Sequence, residues 1–254
     1  MRFLPRAVVV LCYHAVSPTW PAAMAVSPDA LERQMRWLVD NGWRACTFRD
    51  AVDASTARTV AITFDDAFDS VATIAYPILS SLGLKATVFA PTGYIGTPGL
   101  RWAGTEQWTG TAHERELTAM TWDTLGTLID AGWEVGSHSQ THPHLTQLDD
   151  ATLRAELESS REACRVGLGR ACETIAYPYG DVDDRVADYA REAGYFAGAA
   201  LSHRLDLRGP YRVPRIGIYR DDGWLRFRLK LNPGTRRARQ SRLWPDPIAR
   251  PRLT

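Results

Sequence analysis

The chain has 254 residues, of which 45% are hydrophobic and 23% are charged, and its formal net charge is +1. This length suits one large α/β domain with a substantial core, and the composition is that of a soluble globular protein. The nearly neutral balance argues against a strong overall attraction to nucleic acid or to acidic surfaces, and we expect no nucleic acid as a partner. No apolar run reaches the ~20 residues that are needed to cross a bilayer.

The start of the chain, MRFLPRAVVVLCYHAV, combines two arginines with an apolar run. The run is shorter than the core of a usual signal peptide and no small-residue cleavage site follows it. We therefore expect a first strand at residues 8–12 and a cytoplasmic protein. The chain contains four cysteines, Cys12, Cys46, Cys164 and Cys172. Because none of them has Cys-x-x-Cys spacing, we expect reduced, mostly buried thiols rather than a disulfide framework.

Helices and strands are predicted to alternate along the chain. The helix at 27–41 begins with a serine that can cap it and a proline in its first turn, and it carries an apolar stripe. Further helices are predicted at 70–82, 121–129, 151–166 and 182–193. Further strands are predicted at 44–47, 60–64, 86–90, 134–137, 174–177, 196–200 and 211–219. This alternation favours an α/β fold, a parallel barrel rather than a sandwich.

Two regions depart from this alternation. Residues 93–120 form a long polar loop, and its Trp102 and Trp108, together with Trp122, are candidates for lining a sugar groove. Packing of these rings onto the barrel is at least as good an interpretation. Residues 233–254 are rich in arginine and proline, so we expect a flexible extension after a domain of residues 1–232. This extension could make weak contact with a membrane surface or a lipid-linked glycan.

The first chemical motif, TFDDAFDS, places Asp65 and Asp66 directly after an apolar strand. Adjacent residues of a strand point to opposite faces, so both carboxylates can enter one site only where the strand stops and the backbone turns. The commoner role of such a pair is to cap a helix.

The second motif, GSHSQTHPHL, places His138 and His142 four residues apart after another strand. That spacing puts both imidazoles on one face of a helical turn. Two imidazoles and one carboxylate leave a position open for water on a divalent ion, and a second carboxylate can then take a proton from that water. A lone His-x-x-x-His is often structural. The two motifs together, each at the carboxyl end of a predicted strand, favour a metal site.

TFDD, HSxxHP and the YPYG of residues 177–180 resemble the motifs of the polysaccharide deacetylases, family 4 of the carbohydrate esterases, with their NodB-type domain. The resemblance runs from about residue 11 to about residue 216. It implies a distorted (β/α) barrel, here of about seven parallel strands, that removes acetyl groups from sugars with a divalent metal. Zinc is the expected ion, with nickel, cobalt or iron as alternatives. By position, Asp65 would be the general base, and Asp66, His138 and His142 the metal ligands.

The third motif implies an oxyanion-binding backbone N–H near Tyr179, beside Pro178. Many members of the family carry an arginine shortly before this motif's prolines, where this chain has Ala176. A guanidinium beside Asp65 would hold the base ionised and oriented. Arg215, in VPRIGIY, is a candidate to supply that charge from another strand, and a solvated surface arginine is an equal alternative.

Many members also end with a Leu-x-x-His motif, which this chain lacks in that place. Instead, the first strand delivers His14 at its carboxyl end. This arrangement resembles the permuted subgroup that deacetylates poly-N-acetylglucosamine, in which an early histidine fills the late motif's role. We therefore expect His14 to be the general acid that protonates the leaving amine, with a structural histidine as the alternative.

The sequence thus predicts a metal-dependent hydrolase that removes N-acetyl groups from an N-acetylated glycan or glycolipid. Two alternatives stay open. The first is an amidase that keeps the metal but acts on a non-sugar, cyclic amide. The second is a catalytically silent carbohydrate-binding module, which would have no need of a base beside a metal.

Overall fold

The structure is a computed structural model and describes residues 8–54, 58–201, 205 and 209–240. Its strands are β1 Val9–Tyr13, β2 Ala15–Val16, β3 Ala25–Val26, β4 Arg44–Cys46, β5 Thr59–Asp65, β6 Thr87–Ala90, β7 Glu134–Ser137, β8 Thr174–Ala176, β9 Ala197–Ala200, β10 Val213–Pro214 and β11 Ile216–Gly217. Its α-helices are α1 Pro28–Asp40, α2 Phe48–Asp53, α3 Tyr76–Ser81, α4 Trp122–Asp130, α5 Asp150–Leu168, α6 Asp184–Glu192, α7 Trp224–Leu231 and α8 Pro233–Gln240.

The main sheet has the order β10-β9-β8-β7-β6-β5-β1-β11, and every pair in it is parallel. The short strands β10 and β11 belong to one segment, residues 213–217, whose first half pairs with β9 and whose second half pairs with β1. The sheet is therefore almost closed into a barrel of seven strands, if β10 and β11 are counted as one strand that is interrupted at Arg215. The predicted distorted (β/α) barrel is confirmed. β4 pairs in addition with the first half of β5, and β2 pairs with β3.

Alternation along the strands separates two cores. In β5, Val60, Ile62 and Phe64 belong to the large core between the sheet and the helices, whereas Ala61 belongs to a second cluster inside the barrel. The inner cluster is built largely of small residues, among them Ala176. Because Asp65 follows Ala61 at even spacing, its side chain points inward as well.

The helix predictions succeed where capping signals are clear. Ser27 and Thr121 cap α1 and α4 through their side-chain oxygens. The helix predicted at 70–82 instead begins with a π-helical turn, Val71–Ala75, before α3. Pro77 lies in the first turn of α3 and has no N–H to give to the preceding turn, which explains the break in regular hydrogen bonding.

The end of the described chain differs from the flexible extension expected from residue 233. Residues 233–240 form α8, in which Arg236 is 8% exposed and donates from Nη2 to the carbonyl of Val8 at 3.1 Å. Because Val8 directly precedes β1, α8 lies at the amino-terminal end of the barrel. The rest of the expected extension, residues 241–254, lies outside the described residues. Within the described ranges, no helix combines the length and apolarity that crossing a membrane requires.

The expectation of four reduced cysteines is wrong for two of them. Cys164 in α5 and Cys172 form a disulfide, with their Cα atoms 5.8 Å apart. Helix α5 ends at Gly169, whose left-handed conformation (φ 69°) turns the chain back, so that residue 172 comes to lie beside the helix. Cysteine spacing alone carries no information about such a reversal. Cys12 and Cys46 are free thiols.

We expect replacement of both bridged cysteines by serine to lower the free energy of unfolding by about 2–3 kcal/mol, because the bridge closes a short loop of the unfolded chain. Urea unfolding with and without a reductant measures this effect. The reductant should destabilise the wild-type protein and leave the double serine variant unchanged. A wild-type curve that does not move on reduction would contradict the prediction.

Candidate metal centre and active site

Asp66, His138 and His142 meet at the carboxyl ends of the strands. One donor atom from each lies within 4.8 Å of the other two, and all three residues are buried. Asp66 Oδ1 lies 3.4 Å from Nε2 of His138 and 3.4 Å from Nε2 of His142. The three residues predicted to be ligands therefore lie close enough together to share one ion.

The donor set fits a divalent ion on two counts. Asp66 Oδ1 is buried without a hydrogen-bond partner among the described residues, and such an atom needs a cation or a donor. Zinc bonds of about 2.0–2.1 Å in a tetrahedron separate neighbouring donors by about 3.3–3.4 Å, which matches the spacing around Asp66. His138 Nδ1 lies 2.8 Å from the carbonyl of Ala176, a contact that requires the proton on Nδ1 and leaves Nε2 as the donor atom.

A turn in the backbone brings the adjacent carboxylates to one site. Strand β5 ends at Asp65, and the next two residues, Asp66 (φ 72°) and Ala67 (φ 52°), are left-handed. Among the described residues, the non-glycine residues with positive φ are Arg58, Asp66, Ala67, Ser139, His142 and Tyr179. All but Arg58 surround the candidate metal centre. Strained backbone of this kind is concentrated where a site must hold side chains in a fixed geometry.

The expectation that a helical turn presents the two histidines is wrong. Residues 138–142 form a loop in which Ser139 and His142 are left-handed, both with φ 61°. The Ser139 hydroxyl accepts from the backbone N–H of His142 at 3.1 Å. The imidazoles converge because this loop curls, and their ring centroids lie 4.9 Å apart.

Glu156 of α5 holds this loop, and sequence reasoning missed it. Its carboxylate accepts from the backbone N–H groups of Gln140 and Thr141 at 2.8 and 2.9 Å and from the Thr141 hydroxyl at 2.5 Å. Glu156 is 8% exposed and forms no ion pair with another described residue. Its partners are mostly backbone groups, which no sequence pattern identifies.

We expect Glu156→Ala to weaken zinc affinity about 10–100-fold, because an outer partner that orients a ligand loop is lost. Glu156→Gln should weaken the affinity less, because its carbonyl oxygen can still accept from both N–H groups while its NH₂ group donates to the Thr141 hydroxyl. Competition with a chromophoric chelator measures the affinity. Glu158→Ala, on an exposed side of the same helix, is the matched control. Equal affinities for all three variants would contradict a role in positioning His142.

Arg215 lies against the predicted base. Its guanidinium binds Asp65 through two contacts, Nη1–Oδ1 at 2.6 Å and Nη2–Oδ2 at 2.7 Å, and it is fully buried. It also donates to the Thr63 hydroxyl at 3.2 Å. Burial raises the pKa of Asp65, but the guanidinium and the nearby His138 lower it by more than burial raises it. The pKa of Asp65 therefore lies below its usual range. The surface alternative for Arg215 is therefore excluded.

Cys12 and His14 approach Asp65 from β1. The Cys12 thiol lies 3.5 Å from Asp65 Oδ2, and one atom each of Cys12, His14 and Asp65 lies within 4.8 Å of the others. Burial raises the pKa of the Cys12 thiol well above its usual value, so it stays a neutral donor. Cys12 was not among the predicted site residues. The signal was present, however, since residues two apart on a strand share a face.

The remaining candidates divide between the site and the scaffold. Tyr179 is left-handed (φ 59°), follows the buried Pro178, and stacks on His144 with ring centroids 3.9 Å apart. Trp122 instead packs between helices. A Cβ added at Gly167 of α5 would lie 2.4 Å from its indole ring, so the packing alternative holds for Trp122.

The long loop 93–120 reaches the site through one tryptophan. Trp102 is 7% exposed and stacks on the ring of His142, with centroids 4.2 Å apart. Trp108 packs edge-on against Trp20 at 5.7 Å. Trp102 therefore covers a candidate metal ligand, whereas Trp108 belongs to the packing of the loop.

Comparison with known proteins gives one family. The family model described as polysaccharide deacetylase matches residues 53–198. YxkH of Bacillus subtilis, which is named after the same family, is 26% identical over 222 residues, covering 84% of this chain and 72% of its own. The poly-beta-1,6-N-acetyl-D-glucosamine N-deacetylase of Staphylococcus aureus (strain MRSA252) is 25% identical over 213 residues, which are 78% of this chain and 69% of its own.

Among solved structures, IcaB from Ammonifex degensii has a TM-score of 0.73 at 21% sequence identity. The match covers 95% of this chain and 100% of the other. At that identity the likeness supports the barrel architecture alone.

Proposed function

Because this chain belongs to the polysaccharide deacetylase family, we propose that it is a metal-dependent hydrolase that removes N-acetyl groups from N-acetylhexosamine units of a polysaccharide, oligosaccharide or glycolipid precursor. The observation that carries the proposal is the pairing of an ionised, buried Asp65 with three convergent donors on Asp66, His138 and His142. A module that only bound sugar would need neither the donor set nor a charged base beside it.

Asp66, His138 and His142 would hold the divalent ion, with zinc as the first candidate. When bound, such an ion lowers the pKa of a water molecule and polarises the acetyl carbonyl. His138 is already oriented for this role by its contact with Ala176, and His142 by Ser139 and the loop that Glu156 holds.

Asp65 takes the proton from the attacking water, and Arg215 keeps its carboxylate charged and fixed in direction. The backbone N–H of Tyr179 donates to the oxygen on which negative charge develops. His14, which lies close to Asp65, gives a proton to the nitrogen as the amine departs. Each of these steps uses a side chain or backbone group at the carboxyl ends of the strands.

The name of the Staphylococcus aureus relative supports a β-1,6-linked N-acetylglucosamine polymer as the first substrate to test. The experiment measures acetate released from β-1,6- and β-1,4-linked N-acetylglucosamine oligomers by zinc-loaded protein and by chelated protein. Release should require the metal. Binding of oligomers without release would indicate a carbohydrate-binding module, and opening of a cyclic imide without glycan turnover would indicate an amidase.

We expect His14→Ala to lower kcat for a glycan about 10²-fold or more without loss of metal, because the leaving amine must be protonated. The kcat for an activated aryl acetate should fall far less, because the leaving group of that substrate needs no proton. His113→Ala, in the loop 93–120, is the control. If both substrates lost activity equally, His14 would have a structural role instead.

A further inference from the structure

Helix α7 is apolar on two sides, and the domain covers only one of them. Phe227 and Leu231 face inward and are buried, with Phe227 edge-on to Trp37 at 5.9 Å. Leu225 and Leu229 are 69% and 50% exposed. Because they are four residues apart, the two leucines share the outward face. A helix that is apolar on both sides normally has a second partner.

Positive charge is concentrated in the same part of the chain. Residues 224–254 contain nine of the thirty Lys and Arg residues and one of the twenty-nine Asp and Glu residues, a net charge of +8 against −7 for residues 1–223. Such an asymmetry within one chain indicates an anionic partner. Between residues 224 and 240 there is no acidic residue at all.

The exposed charges lie beside the exposed leucines. Arg228 is next to Leu229 on the outward face of α7. Arg237 is exposed on α8, and a single residue, Asn232, separates α8 from α7. In the part of the chain that the structure describes, neither arginine forms an ion pair. The other cations of α7 differ, because Arg226 and Lys230 both pair with Asp222.

We propose that Leu225, Arg228, Leu229 and Arg237, here called the α7–α8 face, dock the protein on an anionic lipid membrane. The leucines enter the boundary between headgroups and acyl chains, and the arginines bind lipid phosphate groups. A second copy of the chain fits the face poorly, since a two-fold contact would set arginines against arginines with no acidic residue between 224 and 240 to offset them.

The part of this face that α8 carries lies away from the proposed site. Arg236 of α8 donates to Val8, just before β1 begins, whereas the donors for the metal lie after β5 and β7 end. The strands of the barrel are parallel, so α8 and the site lie at opposite ends.

The test is co-sedimentation of the full chain with vesicles of phosphatidylcholine alone and of phosphatidylcholine with phosphatidylglycerol. We expect binding to the anionic vesicles only, weakened by added salt. Each basic residue near an anionic surface contributes about fivefold to partitioning, so Arg228→Glu with Arg237→Glu should lower it more than tenfold. Leu225→Ser with Leu229→Ser should also lower it at least tenfold, with the charge unchanged.

Val166→Ser is the matched control, because Val166 is 71% exposed on α5 and lies outside the α7–α8 face. Equal binding to both vesicle types, or double variants that bind as the wild type does, would overturn the proposal. The proposal would also be overturned if the protein did not bind vesicles but associated with itself, and if Leu225→Ser with Leu229→Ser abolished that association. Acetate release from a soluble oligomer should be the same in every variant, which keeps this test separate from that of the proposed activity.

Discussion

Asp66→Asn should abolish zinc binding and lower acetate release by more than the ~10⁴-fold that a single acid–base group supplies. The substitution removes the anionic donor that both imidazoles face at 3.4 Å. Asparagine is the suitable replacement because residue 66 has φ 72°, a conformation that asparagine tolerates better than alanine does. The fold should therefore survive while the nucleophilic water is lost.

Metal content after dialysis, circular dichroism and acetate release together measure this effect. Chelation of the wild-type protein should reproduce the loss, and added zinc should restore activity to the wild type but not to Asp66→Asn. Asp69→Asn is the control, since Asp69 follows Asp66 by three residues and is partly exposed. A zinc-free Asp66→Asn protein with activity within tenfold of wild type would refute the assignment.

The pair formed by Asp65 and Arg215 should give the largest effects on stability. Breaking a buried ion pair from either side leaves an uncompensated charge, so Arg215→Met and Asp65→Asn should each destabilise by about 3–5 kcal/mol. The double variant removes both charges and should be more stable than either single variant. It should nevertheless be inactive, because the base is gone. Arg220→Met is the control, since its contacts with described residues are hydrogen bonds to carbonyl oxygens alone.

The stability difference between wild type and Arg215→Met should depend on pH. Arg215 holds the folded-state pKa of Asp65 below its usual range, so the pair stabilises the protein above the unfolded-state pKa, and this stabilisation is lost as the pH falls through the folded-state pKa. Without the guanidinium, burial dominates and the pKa of Asp65 rises. The acidic limb of the pH–rate profile should therefore move to higher pH.

Urea unfolding at neutral and at acidic pH measures the change. The deficit of Arg215→Met should be largest at neutral pH and should shrink in acid, where protonation removes the unpaired charge. A deficit that stayed constant with pH, or a double variant as unstable as the sum of the two single variants, would show that Arg215 stabilises by packing rather than by charge.

Local signals in the sequence predicted much of the fold. The strand at 134–137 is found as β7 with the same bounds, and the helix at 27–41 is found as α1, because serine and proline mark its start. Helix α2 was not predicted, although Thr47 caps it, because it has only six residues and too few turns to show a period. Helix α8 was missed because a run of arginines and prolines resembles a solvated tail.

The candidate site was predicted as a set of residues rather than as a geometry. Chemical type and position at strand ends were enough to select Asp65, Asp66, His138 and His142. The left-handed residues that aim them, and the support from Glu156, depend on contacts distant in sequence. The disulfide was missed for a related reason, because it too depends on a contact that spacing does not reveal. Disulfides are typical of oxidising compartments, so this one gives no support to the predicted cytoplasmic location, which stays a prediction.

The seam of the barrel has a consequence for biosynthesis. Residues 213–217 join β9 to β1 and carry the cation that neutralises Asp65, yet they leave the ribosome after all the other barrel strands. Until they emerge, the sheet cannot close between β9 and β1, and Asp65 lacks the guanidinium of Arg215. Closure of the barrel and formation of the Asp65–Arg215 ion pair therefore occur together. A chain truncated before residue 213 should neither close the barrel nor form this pair.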